Sequence, residues 1–392
     1  MNCENLKFCE VTSWWNWYYI KKQISPHFFY YPAKLMLEKG FDVEVLTKLY
    51  PERNESKFEF NDGIKVRRFP SGPTKFCISL LEYMLRNTYS LVHLHTVGFL
   101  EDFIPWIASR IKEAPMVFTS HDPGLPSLEN RKDIKALIFK SLLKIKSSST
   151  VFVAFTEWQA NLYRKWGLKN VKVIPHAIDP AVFNIQINYE IAEKYELEEN
   201  NILCVGQIDS RKGQHFLVES MPKILKDHPR TKLLLVGRVF NESQRIYLKM
   251  LESKIERLNL KKNVAFLKDM PKDDLIQLYL LSNIFAFPTD REIFGLVLLE
   301  AMAAGLPIIS TDRPYIREIL QDGKAGILVK RERKEFEEGI IALLNDDNLR
   351  NRLSKEGKRA IKEKYHLDKI IKKHWELYES LIRLNQASFK KA

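Results

Sequence analysis

Cysteine is scarce in this chain: the four among its 392 residues, Cys3, Cys9, Cys77 and Cys204, stand far from any CxxC spacing. That pattern excludes a zinc knuckle and a disulfide scaffold, and it suits a reducing compartment. Long apolar runs are missing too, since no stretch nears the roughly 20 residues that span a bilayer. The opening residues Met1-Asn2-Cys3-Glu4-Asn5 lack the basic start and apolar run of a secretory signal. A cytoplasmic protein is expected. Short tandem repeats and low-complexity tracts are absent as well.

What is present is ordinary globular material. Apolar residues make up 45% and charged residues 28%, which removes the disordered and collagenous classes. At a prior of about 150 residues per domain, the length favours two domains over one. Lys and Arg number 62 against 49 Asp and Glu, a net charge of +13. Such an excess suits anionic partners, whether phosphorylated small molecules, an acidic membrane surface or nucleic acid, without choosing between them.

Along the chain, short apolar runs alternate with amphipathic stretches. Phe8–Thr12, Asp42–Thr47, Leu91–His95, Met116–Thr119, Val151–Phe155 and Val171–Pro175 read as strands, with a helix over Tyr31–Glu38 ended by Lys39-Gly40. A polar, strand-poor stretch over about 179–200 reads as a linker. A second strand series then runs through Ile202–Val205, Lys232–Val236, Asn263–Leu267, Ile284–Pro288, Pro307–Ser310 and Gly326–Val329. From about Glu332 the chain is Lys/Glu-rich and helical, and Leu367–Leu384 spaces Ile370, Ile371, Trp375, Tyr378 and Leu381 as an amphipathic helix. Two doubly wound α/β domains are predicted, whose ligands belong at the strand carboxyl ends, on edges that can face one another across a cleft.

Four constellations carry chemistry. The first runs from Arg291 to Pro307 and holds Glu292, Phe294, Gly295, Leu296 and Glu300. It reads as a loop, a helix from about Gly295 to Ala304, and a glycine stop. If the whole stretch were helical, its two acids would stand about 12 Å apart, too far to share a proton or a metal. The backbone N–H groups of Phe294, Gly295 and Leu296 would lie at a helix N-terminus, where phosphate is favoured. Two solvated glutamates on an ordinary amphipathic helix are the alternative. Glu300 argues against it, because it lies between Leu298-Leu299 and Ala301-Met302 and a buried carboxylate needs a hydrogen-bonding partner. A ligand hydroxyl would serve.

The second constellation, Gly206-Gln207-Ile208-Asp209-Ser210-Arg211-Lys212-Gly213, follows a strand with a polar loop and two adjacent cations. It has the layout of a phosphate site, or of a solvated cation pair at a loop tip. In the third, His121 follows the strand ending at Thr119, where it can meet a hydroxyl or phosphate or simply cap the turn. His93 and His95 alternate on an earlier strand and read as core or crevice lining. The fourth is the aromatic and basic segment Trp14–Lys22, which suits a lipid boundary, sugar stacking or core packing.

Taken in order, His121, the Val173-Ile174-Pro175-His176-Ala177-Ile178-Asp179 segment, the Gly206–Gly213 loop, the Glu292/Glu300 pair and the terminal helix resemble the retaining glycosyltransferases of family 4. The resemblance implies the GT-B fold: two Rossmann-like, doubly wound parallel-sheet domains facing across a cleft, with a C-terminal helix crossing back. It divides the chain into an acceptor-side domain (1–178), a linker (179–200), a nucleotide-sugar-binding domain (201–365) and the terminal helix (366–392). It implies a hexosyltransferase that moves a sugar from a UDP- or GDP-sugar to a hydroxyl of a glycan or lipid-linked acceptor.

Among site residues, the resemblance gives Glu292 the donor-sugar hydroxyls and Glu300 the ribose. Arg211 and Lys212 take the diphosphate, with Gly206, Phe294, Gly295 and Leu296 around it, and His121 the reacting sugar. It implies no cofactor and no metal, and no Asp-x-Asp is present to oblige one; Asp273-Asp274 reads as a helix start.

Three departures stand out. Gln207 replaces the usual Arg, a glycine-rich turn after the first strand gives way to the aromatic segment and Ser25-Pro26-His27, and His176 replaces an Asn. A non-catalytic nucleotide-sugar or glycan binding protein of the same fold is the competing reading. A nucleic-acid partner is not expected, since only the charge favours one. Peripheral association with the inner membrane face, through Trp14–Lys22, is a further expectation.

Overall fold

The computed structural model describes residues 6–13, 29–50, 55–96, 101–122, 134–147 and 149–389. The Trp14–Lys22 segment and Ser25-Pro26-His27 lie outside them. The chain divides into two compact units, Met1–His176 with Asp368–Ala392, and Ala177–Leu367.

The first unit is built on an eight-stranded sheet of order β3-β4-β2-β1-β5-β6-β7-β8. Its strands are β1 (Lys7–Val11), β2 (Asp42–Leu49), β3 (Phe58–Asn61), β4 (Ile64–Pro70), β5 (Leu91–His95), β6 (Met116–Thr119), β7 (Thr150–Ala154) and β8 (Val171–Val173). All neighbours pair in parallel except β3 with β4. That hairpin was not expected from the sequence. It turns at Asp62-Gly63, both at positive φ (46° and 87°), the backbone of a two-residue hairpin turn.

The β5 strand is buried along its whole length, as a central parallel strand covered on both faces must be. Glu10 of β1 stands in register with His93 of β5, and His95 with Thr119 of β6, so these four polar side chains share one face of the sheet. The terminal helix, Leu367–Phe389, packs on the first unit. Its Tyr378 ring lies 5.7 Å from Phe8, and its hydroxyl is 2.7 Å from His93 Nδ1. The buried stripe of that helix runs through Ile370, Leu377, Tyr378 and Ile382, whereas Ile371, Trp375 and Leu381 are half-buried.

The second unit carries a six-stranded, wholly parallel sheet of order β11-β10-β9-β12-β13-β14. The strands are β9 (Asn200–Val205), β10 (Thr231–Val236), β11 (Val264–Leu267), β12 (Ile284–Phe287), β13 (Ile308–Thr311) and β14 (Ile327–Val329). Strand residues Ile202, Leu233, Ile284 and Ile309 form one core with Leu217, Met221, Leu251, Ile340 and Leu343 of the covering helices. The 179–200 stretch, expected as a linker, carries a 3-10 turn at Pro180–Phe183 and a short helix at Glu190–Lys194, and it belongs to this unit. Strand order reverses between β9 and β12, so the loops leaving their carboxyl ends lie side by side. No described helix is long and apolar enough to cross a membrane.

Candidate active site

The loop after β9 opens with Gly206 and tightens into a 3-10 turn, Ser210–Lys212. Asp209 caps it, its Oδ1 accepting from the Arg211 N–H at 2.9 Å. Gly213 ends the turn at φ 74°, and a Cβ placed there would meet the Pro288 carbonyl oxygen at 2.3 Å. Only glycine lets the two loops come so close. Their joining is backbone as well, because the Asp290 N–H donates to the Arg211 carbonyl at 2.8 Å.

Across that joint the predicted cations meet the predicted acid. Glu292 Oε1 accepts from Arg211 Nη1 at 2.7 Å, from Lys212 Nζ at 2.5 Å and from Thr289 Oγ1 at 3.0 Å. All three charged side chains are largely buried, and Lys212 Nζ also lies 5.0 Å from the Phe287 ring centre. Glu292 sits on the loop before the helix, so a helical rise does not apply to its separation from Glu300.

The loop is braced by residues that the sequence did not single out. The Glu292 N–H donates to Tyr315 Oη at 3.1 Å, and that hydroxyl donates to the Asp290 carbonyl at 3.1 Å. Burial holds the Tyr315 phenol well above its usual pKa, so it stays a neutral donor. Arg313 pairs with Asp290 at 2.6 Å. Arg331 reaches the carbonyls of Pro288 at 3.0 Å and Ser210 at 2.9 Å, tying both loops to the end of β14.

The helix Leu296–Ala304 begins at Gly295, whose φ of 94° turns the chain into it. Leu296 is half-buried at its first position, while the Phe294 side chain turns into the core against Tyr365, ring centres 6.0 Å apart. Glu300 is buried in mid-helix as expected, but its partner is the protein's own. Tyr279 Oη donates to Glu300 Oε2 at 2.8 Å. Burial first, and then the Glu300 charge, raises the Tyr279 phenol well above its usual pKa. A protein hydroxyl thus meets part of the hydrogen-bonding need of this buried carboxylate. Gln207 is exposed, its carbonyl accepting from Gln214 Nε2 at 2.8 Å. Asp273 and Asp274 fall in the first turn of the helix Lys272–Leu281.

His121 belongs to the first unit, just past β6. Its Nε2 lies 2.9 Å from His95 Nδ1, and its ring stacks near His95 and His176. His176 in turn stacks on Phe155 at 3.9 Å between centres, and burial pushes it down to about 3. That gives a physical role to the departure at His176: a neutral ring packed flat in an aromatic stack. Among the described residues no group of three or more His, Cys, Asp and Glu side chains is placed to hold a metal ion, so these histidines form a hydrogen-bonded and stacked cluster.

Comparison with known proteins agrees with this architecture unit by unit. Residues 28–182 match the family model "Glycosyltransferase Family 4", and residues 188–360 match "Glycosyl transferases group 1". Together these matches span well over half of the chain, and it belongs to the family 4 glycosyltransferases of GT-B fold. It is 27% identical over 371 residues to an uncharacterized glycosyltransferase of Methanocaldococcus jannaschii, covering 88% of this chain and 92% of that one. It is 25% identical over 368 residues to the phosphatidyl-myo-inositol mannosyltransferase of Mycobacterium tuberculosis, covering 89% and 91%. Among solved structures, the sucrose-phosphate synthase of Thermosynechococcus elongatus superposes with a TM-score of 0.81 at 20% identity, over 97% of this chain and all of that one (100%). Anabaena HepE in complex with UDP gives 0.76 at 18%, over 96% and 100%.

Proposed function

We propose that the chain is a retaining hexosyltransferase that uses a nucleotide-diphosphate sugar, a UDP- or GDP-hexose, and delivers the hexose to a hydroxyl of a glycan or lipid-linked acceptor. The observation that carries this reading is the convergence of Arg211 and Lys212 on Glu292 where β9 and β12 end. Two cations and one anion leave a surplus positive charge, beside a helix N-terminus whose free N–H groups favour phosphate. In the proposed reaction the bond from the anomeric carbon to the diphosphate oxygen breaks. The acceptor oxygen bonds to the same face, and its proton passes to the departing phosphate. Arg211 and Lys212 take up the charge that develops there, with Gly206, Phe294, Gly295 and Leu296 offering backbone around it. Glu292 meets the sugar hydroxyls, Glu300 the ribose, and His121 the reacting sugar. The reading calls on no metal and no other cofactor.

The test is a product assay across UDP- and GDP-sugars. Glu292→Gln or Lys212→Ala should lower consumption by roughly 10²–10³, as loss of one charge-stabilising contact does, with the fold intact by circular dichroism. Wild-type turnover in both variants overturns the assignment. Calorimetric binding of a nucleotide sugar without transfer or hydrolysis, whatever the acceptor, would instead favour a binding protein, the reading that Gln207 in place of an Arg supports.

A lipid-linked acceptor at the inner membrane face draws support from the likeness to a phosphatidyl-myo-inositol mannosyltransferase and from the net charge of +13. Flotation with anionic liposomes tests it. Recovery wholly with the unbound protein counts against it.

A further inference from the structure

The proposed reaction calls on His121 alone of a cluster in the first unit, where three adjacent strands of the sheet place one carboxyl and two imidazoles in a row. Glu10 Oε1 of β1 stands 2.7 Å from His95 Nε2 at the end of β5, and His95 Nδ1 stands 2.9 Å from His121 Nε2 beyond β6. Glu10 and His95 are 0% and 2% exposed. The Glu10 contact is close in distance but lacks hydrogen-bond alignment, and Glu10 Oε2 is buried with no hydrogen-bond partner among the described residues. The terminal torsion of a glutamate is broad, so a small rotation of the carboxyl aligns the pair.

We propose that Glu10, His95 and His121 form a proton-carrying chain that sets which nitrogen of His121 bears hydrogen, making Glu10 and His95 positioning residues for the transfer reaction. This rests on the reading of His121 as the residue at the reacting sugar. With Glu10 ionised, His95 Nε2–H donates to the carboxylate and His121 Nε2–H donates to His95 Nδ1, which leaves His121 Nδ1, a buried atom, as an acceptor. When a proton arrives at His121 Nδ1, an N–H bond forms there and the Nε2–H bond breaks, its proton passing to His95 Nδ1. The His95 Nε2–H bond then breaks, and that proton comes to rest on Glu10 Oε1. One proton has entered, all three groups are neutral, and His121 Nδ1–H has become a donor. A sugar hydroxyl that must be given a hydrogen bond meets one state, and a hydroxyl that must give one meets the other.

The surroundings favour a chain of neutral rings. Burial lowers His95 well below its usual pKa, as do the neighbouring His121, His374 and His176. Burial raises Glu10 well above the carboxylate range, which makes it the resting place for the proton. The other titratable groups facing the chain are His93 on β5, His176 after β8, and His374 and Tyr378 on the terminal helix, while Cys9 points from β1 to the opposite face of the sheet. The His93 ring lies 4.1 Å from that of His95, but its nitrogens bond elsewhere, Nδ1 with Tyr378 Oη at 2.7 Å and Nε2 with Thr119 Oγ1 at 2.9 Å.

The test is long-range proton–nitrogen NMR on the full chain labelled with ¹⁵N-histidine, read from weakly acidic to weakly alkaline pH, with His121 assigned from His121→Asn. The wild type should show His95 and His121 changing tautomer together over one pH interval. In Glu10→Gln the change should vanish, and kcat for transfer should fall by roughly a hundredfold with KM little altered and its pH dependence flattened. Independent or absent tautomer changes in the wild type overturn the proposal, as does a joint change that survives Glu10→Gln. The wild-type spectrum decides the matter even if the variant fails to fold. Since the spectrum needs no turnover, a coupled chain in a protein that transfers nothing would sink the proposed activity and leave the chain standing.

Discussion

At the scale of single residues, the site is a set of buried charges that answer one another. Glu292 accepts three hydrogen bonds on one oxygen, and any anionic ligand of Arg211 and Lys212 competes with it. Glu300 depends on Tyr279 in the same manner. Removing that donor leaves a buried carboxylate short of one partner, which typically costs about 1–3 kcal/mol. Tyr279→Phe should therefore lower the urea midpoint by a matching amount and weaken nucleotide binding. An unchanged midpoint would mean that Glu300 is satisfied elsewhere. Arg211, Lys212, Glu292 and Glu300 could be found in the sequence because charge in a glycine-bounded loop, or inside an apolar run, is conspicuous there. Tyr315 and Arg331 could not, since their partnerships are made by folding: Arg331 and Ser210 lie 121 positions apart.

At the scale of elements, the β9 and β12 loops act as one piece because Gly213 lets them touch. Gly213→Ala should be destabilising by at least the 1–2 kcal/mol or so of a left-handed alanine, with further loss from the clash at the Pro288 carbonyl. Arg331→Ala removes three hydrogen bonds to that joint and should raise KM for the nucleotide sugar while the protein still melts in one cooperative transition. A normal KM would place Arg331 outside the site's support. Apart from β4, the parallel strands of both sheets were legible because buried strands read as short apolar runs, as Ile202–Val205 and Ile284–Phe287 do. The β3–β4 hairpin was not, though Asp62-Gly63 is its signal. Phe58-Glu59-Phe60-Asn61 and Ile64-Lys65-Val66-Arg67 alternate on either side of it, although the fold leaves Phe58 and Phe60 exposed.

At the scale of the whole molecule, the first unit is built around histidines kept neutral. Burial pushes His176 down to about 3 and His374 to about 4, and holds His93 and His95 well below the usual value. The unfolded chain takes up protons on all four as pH falls below about 6.5, while the folded chain does not. Their contribution to stability is whole above that pH and is lost as pH drops toward the folded values. Glu10, raised by burial, works the other way, losing stability as pH rises, but it is one group against four. The first unit should therefore melt at progressively lower temperature from about pH 7 to about pH 5, as followed by hydrogen exchange on β5. A rise over that interval would show that the histidines are charged in the fold.

The terminal helix has a consequence for how the protein comes into being. The polypeptide leaves the first unit at His176, builds all of the second, and supplies Tyr378 to the first only afterwards. During synthesis the earlier-made lobe therefore waits, with Phe8 and His93 uncovered, while its younger neighbour matures. A fragment spanning Ala177–Leu367 should fold alone with a sharp melting transition, whereas one stopped at His176 should stay loosely packed and bind hydrophobic dyes. The lobe that is begun first is finished last, and until then it is the part of the nascent chain most in need of a chaperone.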